Sequence, residues 1–465
     1  MCGISGIYNF ETGQHISLDV LKGMILALHH RGPDEFGIYR DEQTGLSSAR
    51  LSIIDLAGGS QPISNEDGTV WIVFNGEIFN YIELRPLLEK RGHHFKTKTD
   101  TEVIIHLYEE FGTDCFTFLN GQFAIGIWDS RTKTLLLARD RLGIRPLFYT
   151  HDNYSLWFAS EIKSFLAVPG LKLKFDEQAL RQIFTYWAVQ PPRSAFENVK
   201  QIPPGHFLVC RENKLTIEPY WELSFQSNGN QALRSDADIF DQFVDLLIDA
   251  TQIRLRADVP VGAYLSGGLD SSTIAAIIRK YTETPLDSFS IAFSTEEFNE
   301  SDFQQEMARY LGTRHQVIDC TPEDIGKVFP EVIWHTESPV LRTSPAPMFL
   351  LSKLVQKHGY KVVLTGEGAD EFLAGYDLFK EMKIRRFVAK DPDSPLRPLL
   401  FKRLYPDIPR LQDSAGFLMA FFQRGLMDTR SPFYSHLIRW ENTARSLKFF
   451  NKPFVSGMNF DEITI

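Results

Sequence analysis

Apolar residues recur at helical spacing near the start of the chain. From Ser17 to about Leu28, Val20, Leu21, Met24, Ile25 and Leu28 fall on one face, which predicts an amphipathic helix. A second such helix starts near Thr99. Val103, Ile104, Leu107, Tyr108 and Phe111 line one side, Thr99 and Glu102 have capping-box spacing, and Gly112 is placed to end it. Strand-type runs accompany these helices: Val70–Phe74, Gly121–Trp128, Thr134–Arg139 and Ser155–Ser160. Several such runs close together predict stacked antiparallel sheets with helices packed on them, an α+β layered domain over residues 2–223. Ser224–Asp238 is polar, contains Gly and has no apolar period, and reads as a linker. Beyond it a helical stretch (about Ile239–Arg256) leads to the apolar run Val261–Leu265 and a helix from about Ser271. Three further strands follow, Ser288–Phe293, His315–Asp319 and Lys361–Thr365, separated by helical segments. Alternation of this kind predicts an α/β domain from residue 239 onward, with a parallel sheet flanked by helices on both faces.

Composition narrows the function classes. The 465 residues are 43% hydrophobic and 23% charged, a globular mixture. A formal charge of −10 argues against a dedicated nucleic-acid binder, which carries a basic face. No run of about 18 apolar residues is present, so no membrane role is expected. The first residues show neither a basic n-region nor a long apolar stretch, unlike a signal peptide. Cys2, Cys115, Cys210 and Cys320 are scattered without a CxxC pair, which excludes zinc ribbons and disulfide scaffolds and fits a reducing cytoplasm.

Cys2 is the first candidate for chemistry. If Met1 is removed, one residue carries both a thiol and a free α-amine, and the amine can accept the thiol's proton. Attack on a primary amide also needs an oxyanion hole, which an Asn side chain and a Gly backbone N–H can supply. Asn75-Gly76, at the end of a strand, offer both. A glutamine substrate also carries an α-carboxylate and an α-ammonium. Arg50 can fork the first, and Asp100 and Glu77 can pair with the second. Taken singly, each is ordinary: an Asn-Gly pair is usually a turn, and a lone Arg or Asp a surface charge. The combination carries the weight.

CGI, HRGPD, RLSIID, GSQPI, FNGEIFNY, TDTEVI, GQFA and ARDRLGIRPLFY occur in this order between Cys2 and Trp221. That series resembles class-II glutamine amidotransferase domains. The resemblance implies an Ntn-hydrolase fold (αββα, two stacked antiparallel sheets between helices), with Cys2 releasing ammonia from glutamine. It places Arg50, Leu51, Ser52, Ile53, Ile54, Asn75, Gly76, Glu77 and Asp100 in the glutamine pocket, with Asn75 and Gly76 as the oxyanion hole.

The second candidate site is SGGLDSS, Ser266–Ser272, between a strand and a helix. Gly267 and Gly268 let backbone approach a ligand closely, Ser266, Ser271 and Ser272 add hydroxyls, and the helix N-terminus favours an anion. The lysine of the usual phosphate loop is missing, so this is a different cradle. Asp270 adds a carboxylate that could hold Mg²⁺ on phosphates. Downstream, KVVLTGEGADE (Lys361–Glu371) is another strand ending in a Gly-rich acidic loop, and both loops leave the strand ends where open α/β sheets bind ligands.

This half resembles the synthetase domain of asparagine synthetase, of the ATP-pyrophosphatase group. The resemblance implies ATP and Mg²⁺ as cofactors and adenylation of aspartate. Ammonia from the first site then attacks the acyl-AMP to give asparagine, AMP and pyrophosphate. By position it assigns Leu265, Ser266, Gly267, Gly268, Asp270, Ser271, Ser272, Ile291, Thr365 and Gly366 to the nucleotide. It assigns Asp270 and Asp370 to the metal and Glu367 to formation of the acyl adenylate. Thr365 stands where Ser is common and keeps the hydroxyl. The expected partners are glutamine, ATP and aspartate or another carboxylate, and the pattern allows a homodimer.

The resemblance weakens after Glu371. An E-x-R-x-P-F-L-D motif is absent, and the Pro-Phe pairs at Pro432-Phe433 and Pro453-Phe454 sit in other contexts. The second domain is therefore expected to lack its usual C-terminal part. Two other readings stay open: amidation of a different carboxylate (a sugar or natural-product acid), and a sensor with an inactive synthetase domain.

Overall fold

The computed structural model describes residues 1–11, 15–224, 235–295, 299–405 and 415–450. Most of the expected linker and the Pro453-Phe454 pair lie outside the described residues. None of the described helices is long and apolar enough to cross a membrane. The described residues form two compact units, Met1–Asp176 with Gln190–Thr365, and Glu177–Val189 with Gly366–Ile465.

In the first unit, two six-stranded sheets are built from the N-terminal half. Their strands are β1 (Gly3–Asn9), β2 (Glu35–Arg40), β3 (Thr44–Arg50), β4 (Ile63–Ser64), β5 (Val70–Ile78), β6 (Gly121–Asp129), β7 (Thr134–Arg139), β8 (Phe148–His151), β9 (Ser155–Ala159), β10 (Lys200–Gln201), β11 (His206–Arg211) and β12 (Lys214–Pro219). One sheet runs β10-β8-β9-β1-β3-β2 and the other β12-β11-β7-β6-β5-β4, with antiparallel neighbours throughout.

Strands buried on both faces need two apolar faces, and the sequence supplies them. Ile4, Tyr8, Leu46 and Phe158 of one sheet meet Val73, Trp128, Leu137 and Leu208 of the other. Outside the first sheet, α1 (Leu18–Leu26) covers Ile7 with Leu21 and Met24. Outside the second, α2 (Tyr81–Lys90), α3 (Asp100–Phe111) and α4 (Cys115–Phe118) cover Ile72, Phe74, Phe123 and Ile125. The result is a four-layer αββα stack. Thr99 caps α3 by accepting the Glu102 N–H, and Gly112 takes up φ +55° at the other end. The capping box is only half made, because the Glu102 carboxylate turns instead to the amides of Lys96 and Thr97.

Three helices follow in the chain: α5 (Glu177–Tyr186) and the long α6 (Asp236–Ile253), then α7 (Leu269–Tyr281) after the strand β13 (Val261–Tyr264). Helix α6 begins earlier than the apolar pattern alone predicts. Ser235 and Asp238 form a reciprocal capping box, which makes the polar end of the expected linker the first turn. With β14 (Asp287–Phe293), β15 (Arg314–Cys320) and β16 (Val362–Leu364), β13 forms a parallel sheet of order β15-β14-β13-β16. Helices cover both faces. Ala275 and Ile278 of α7 with Ala308 and Leu311 of α8 (Ser301–Leu311) pack on Ala263 and Leu265. After α9 (Pro322–Thr336), Leu351 and Val355 of α10 (Pro345–Lys357) pack on Phe289.

Specific ion pairs tie this sheet to the αββα stack inside the same unit. Arg256 forks Glu83 at 2.6 and 2.7 Å, and Lys361 Nζ lies 2.6 Å from Asp34. The second unit has its own core. Val388 of α12 (Asp377–Ala389, after α11, Ala369–Leu373) packs with Phe401 and with Leu418 and Phe422 of α13 (Ala415–Phe422). Ile438 of α14 (Tyr434–Ala444) completes it. The buried Arg385 guanidinium holds this core together by donating to the carbonyls of Phe422, Tyr434, Arg424 and Gly425.

Candidate active site

Cys2 immediately precedes β1 in one sheet, while Asn75 and Gly76 lie on β5 in the sheet stacked against it. Stacking brings them to one pocket, which Asp100 joins from the first turn of α3. Arg50, Leu51, Ile53, Ile54 and Glu77 also line it. The Cys2 side chain is buried, and its Sγ accepts the Leu51 N–H at 3.4 Å. Ser52 is not among the lining residues. Its N–H donates to Asp34 at 2.8 Å and its carbonyl accepts from Lys361 at 3.2 Å, which turns this residue of the loop away.

Asn75 is fully buried, yet neither its Oδ1 nor its Nδ2 has a partner. Leaving a buried amide unpaired costs roughly 1–3 kcal/mol, so its donor is free for a ligand oxygen. Gly76 is required by space. A Cβ there would lie 2.0 Å from the Gln122 carbonyl oxygen on β6. Arg50 is more committed than the sequence suggests. Its Nη1 pairs with Glu35 at 2.8 Å, and its Nη2 donates to the carbonyls of Ile54 and Asp55 at 3.0 and 2.7 Å. Both fork geometries of a guanidinium use Nη2, so a forked carboxylate must displace one of these carbonyls.

Burial raises both acids of the pocket. Burial pushes Asp100 up to about 7, the Ile78 N–H opposes this, and the neighbouring Glu77 charge adds to it. Burial also raises Glu77, against the pull of Arg145 and the terminal amine. The Met1 amine is buried beside the thiol, and desolvation lowers it to about 5, so it stays neutral at neutral pH. Asp100 makes a pH prediction. Between about pH 4 and 7 the folded chain keeps a proton there that the unfolded chain releases. This residue's contribution to stability therefore falls as pH rises through that window and is level above it. Thermal melts should show wild type losing ground to Asp100→Asn across the window, by at most about 1.4 kcal/mol per pH unit. A difference flat with pH would contradict it.

Two groups escaped the sequence reading. Arg145 lines the pocket with its Nε buried and unpartnered, and only the RLGIRP part of a quoted motif pointed to it. A charged chain also runs from the Cys2 carbonyl. Arg31 Nε donates to it at 3.0 Å and Arg31 Nη1 pairs with Glu161 at 2.7 Å. Lys163 then bridges Glu161 and Glu337 at 2.5 and 3.1 Å. Burial alone would raise Glu161, but His30, Arg31 and Lys163 hold it well below the carboxylate range. Three of these side chains are too far apart in sequence to form a motif. The other cysteines are packing groups: Cys115 and Cys210 sit in cores and burial raises both thiols, Cys210 to about 12. Burial raises Cys320 as well.

The second cradle lies at the C-terminal end of β13. Ser266 Oγ meets Ser271 Oγ at 2.9 Å and accepts the Gly268 N–H at 3.2 Å, which folds the loop back on itself. Gly267 has φ +83°, and a Cβ there would lie 2.7 Å from Phe303 Cβ, so only glycine fits. Gly268 is the N-cap of α7 and offers the first-turn amides no side-chain oxygen. Those donors therefore suit a phosphate. Leu265 is buried, its N–H donating to Phe289, and the Ile291 carbonyl accepts Gln304 Nε2 at 3.1 Å. Asp270 and Ser272, half-buried, lie in the first turn of α7. Thr365 closes the first unit. Gly366, Glu367, Asp370 and Glu371 open the second, where Tyr376 donates to Glu371 at 2.6 Å.

Residues 1–221 match the family model described as glutamine amidotransferase domain, and residues 242–455 match that described as asparagine synthase. The glutamine-hydrolysing asparagine synthetase 1 of Bacillus subtilis is 37% identical over 386 residues, 82% of this chain and 60% of that protein. An amidase of Penicillium rubens, chyE, is 34% identical over 408 residues, again 82% of this chain and 60% of the relative. A Methanocaldococcus jannaschii protein, provisionally assigned as a glutamine-hydrolysing asparagine synthetase, is 34% identical over 400 residues and is covered over 76% of its length. The chain thus spans about 60% of the length of the first two of these relatives. It belongs to the family in which a glutamine amidotransferase domain is fused to an asparagine synthase domain.

Proposed function

We propose that the chain is a glutamine-dependent asparagine synthetase, with a glutaminase domain over residues 2–223 and a synthetase domain from 239 onward. The observation that carries the first half is the buried, unpartnered Asn75 amide in one pocket with the Cys2 thiol. With Met1 removed, the α-amine of Cys2 takes the thiol proton and sulfur attacks the glutamine amide carbon. Asn75 Nδ2 and the Gly76 N–H receive the oxyanion. The C–N bond breaks, the amine's proton leaves with ammonia, and water then frees glutamate from the thioester. Asp100 and Glu77 hold the substrate ammonium.

In the second half, the SGGLDSS loop and the α7 amides bind the phosphates of ATP, and Asp270 would hold Mg²⁺ against them. ATP activates the acceptor carboxylate by turning one of its oxygens into a good leaving group. Ammonia then displaces AMP at the acyl carbon. Making ammonia on site keeps it from reprotonation and loss.

A second reading, amidation of another carboxylate, is favoured by the Penicillium rubens amidase, as similar to this chain as the archaeal relative. The test is pyrophosphate release, with product masses, from glutamine, ATP·Mg²⁺ and a panel of acids. Aspartate-dependent release with asparagine formed is the expected result. Release with a sugar or natural-product acid alone would select the second reading. Tight ATP binding with no release would leave only a sensor.

A further inference from the structure

A cluster outside both sites converges on one point. We propose that Glu66, His93, His106 and Glu109 form a closed tetrahedral Zn²⁺ site that staples α3 to the loops after β4 and α2. The ligand-bearing atoms of the four residues lie within 4.8 Å of one another. His106 Nδ1 is 3.0 Å from Glu109 Oε2 and 3.6 Å from Glu66 Oε2, and His93 Nδ1 is 3.5 Å from Glu66 Oε1 and 3.7 Å from Glu109 Oε2. A tetrahedral ion with bonds of about 2.0–2.1 Å needs ligand atoms about 3.3–3.4 Å apart, the centre of this range.

The outer contacts fit the same purpose. Metal-bound imidazoles hand their second nitrogen to a carboxylate. Here His93 Nε2 lies 3.1 Å from Glu110, while the buried His106 Nε2, 3.8 Å from Glu102, has no hydrogen-bond partner. The acids are oriented as well. Glu109 Oε1 accepts Asn65 Nδ2 at 2.7 Å, and Glu66 Oε1 accepts the His94 N–H at 2.9 Å. The two rings lie 4.6 Å apart, with both Nδ1 atoms turned to the same acids. Two imidazole nitrogens with two carboxylate oxygens suit Zn²⁺ rather than Mg²⁺ or Ca²⁺, which take oxygen sets. Glu66, a third exposed, leaves an entry path.

The test uses the full chain, stripped with a chelator and titrated with Zn²⁺ by calorimetry, with Co²⁺ as a spectroscopic replacement. About one Zn²⁺ per chain is expected, with a higher melting temperature and tetrahedral Co²⁺ bands. The double variant His93→Gln/Glu66→Gln should lose this binding with its circular dichroism unchanged. Glu110→Gln, which keeps all four ligands, should weaken it about 10- to 100-fold. A folded, stripped wild type that takes up no Zn²⁺ overturns the proposal. So does an affinity unchanged in Glu110→Gln, which would place the ion elsewhere even if the double variant does not fold.

Discussion

A Cys2→Ala variant is expected to lose glutamine hydrolysis while keeping ammonia-driven product formation. The thiol is buried in a pocket lined by Asn75, Glu77 and Asp100, and the remaining cysteines sit in cores or at a strand end, away from it. No other cysteine lines the pocket, so the fall should be on the order of 10⁴-fold or more, the scale seen when an enzyme loses its nucleophile. The SGGLDSS cradle hangs on β13 and α7, in a separate sheet, and shares no residue with the pocket. Ammonium chloride should therefore restore synthesis. Ammonia release from glutamine and product formation from ammonium are measured side by side. Glutaminase activity surviving in Cys2→Ala removes the nucleophile assignment. Loss of the ammonium-driven reaction as well would mean that the substitution damages the fold.

Asn75→Ala should reduce glutaminase kcat by about 10²–10³-fold, or roughly 2.7–4 kcal/mol of transition-state stabilisation. KM for glutamine should change little, because the amide acts on charge that develops only in the transition state. The same variant should not lower the melting temperature by more than a small cavity term, since the buried amide makes no hydrogen bond that could be lost. An ordinary core Asn would behave in the opposite way, with stability falling and kcat moving little. A variant that melts well below wild type with its kcat preserved would make Asn75 a structural residue. Trading stability for a preorganised donor is the common pattern at catalytic sites.

Elements were legible where a local rule is strong. Thr99 and Gly112 bracket α3 because a hydroxyl can accept the N–H of the third residue on and glycine tolerates positive φ. The alternating and continuous apolar runs became β5, β6, β7 and β9 because such runs must bury one or both faces. Ser266–Ser272 became the loop and first helical turn that follow β13, and only glycine fits at Gly267. Local rules also misplaced details. Ser235 and Asp238 read as linker, yet their reciprocal bonds start α6. Glu102 has box spacing, yet stronger partners at Lys96 and Thr97 capture it.

The sequence by itself determined the order of the elements, the different sheet types of the N- and C-terminal halves, and the residue kinds at both sites. Each of these depends on neighbours within a few positions. Only the tertiary structure decided that Arg145 enters the Cys2 pocket, that Ser52 turns out of it, and that Arg50 already spends Nη2 on two carbonyls. It alone joined Arg31, Glu161, Lys163 and Glu337 into one charged chain, and brought Glu66 and His93 onto His106 and Glu109. Burial and charge pairing depend on what packs opposite a residue, and in stacked sheets that neighbour comes from another strand far along the chain.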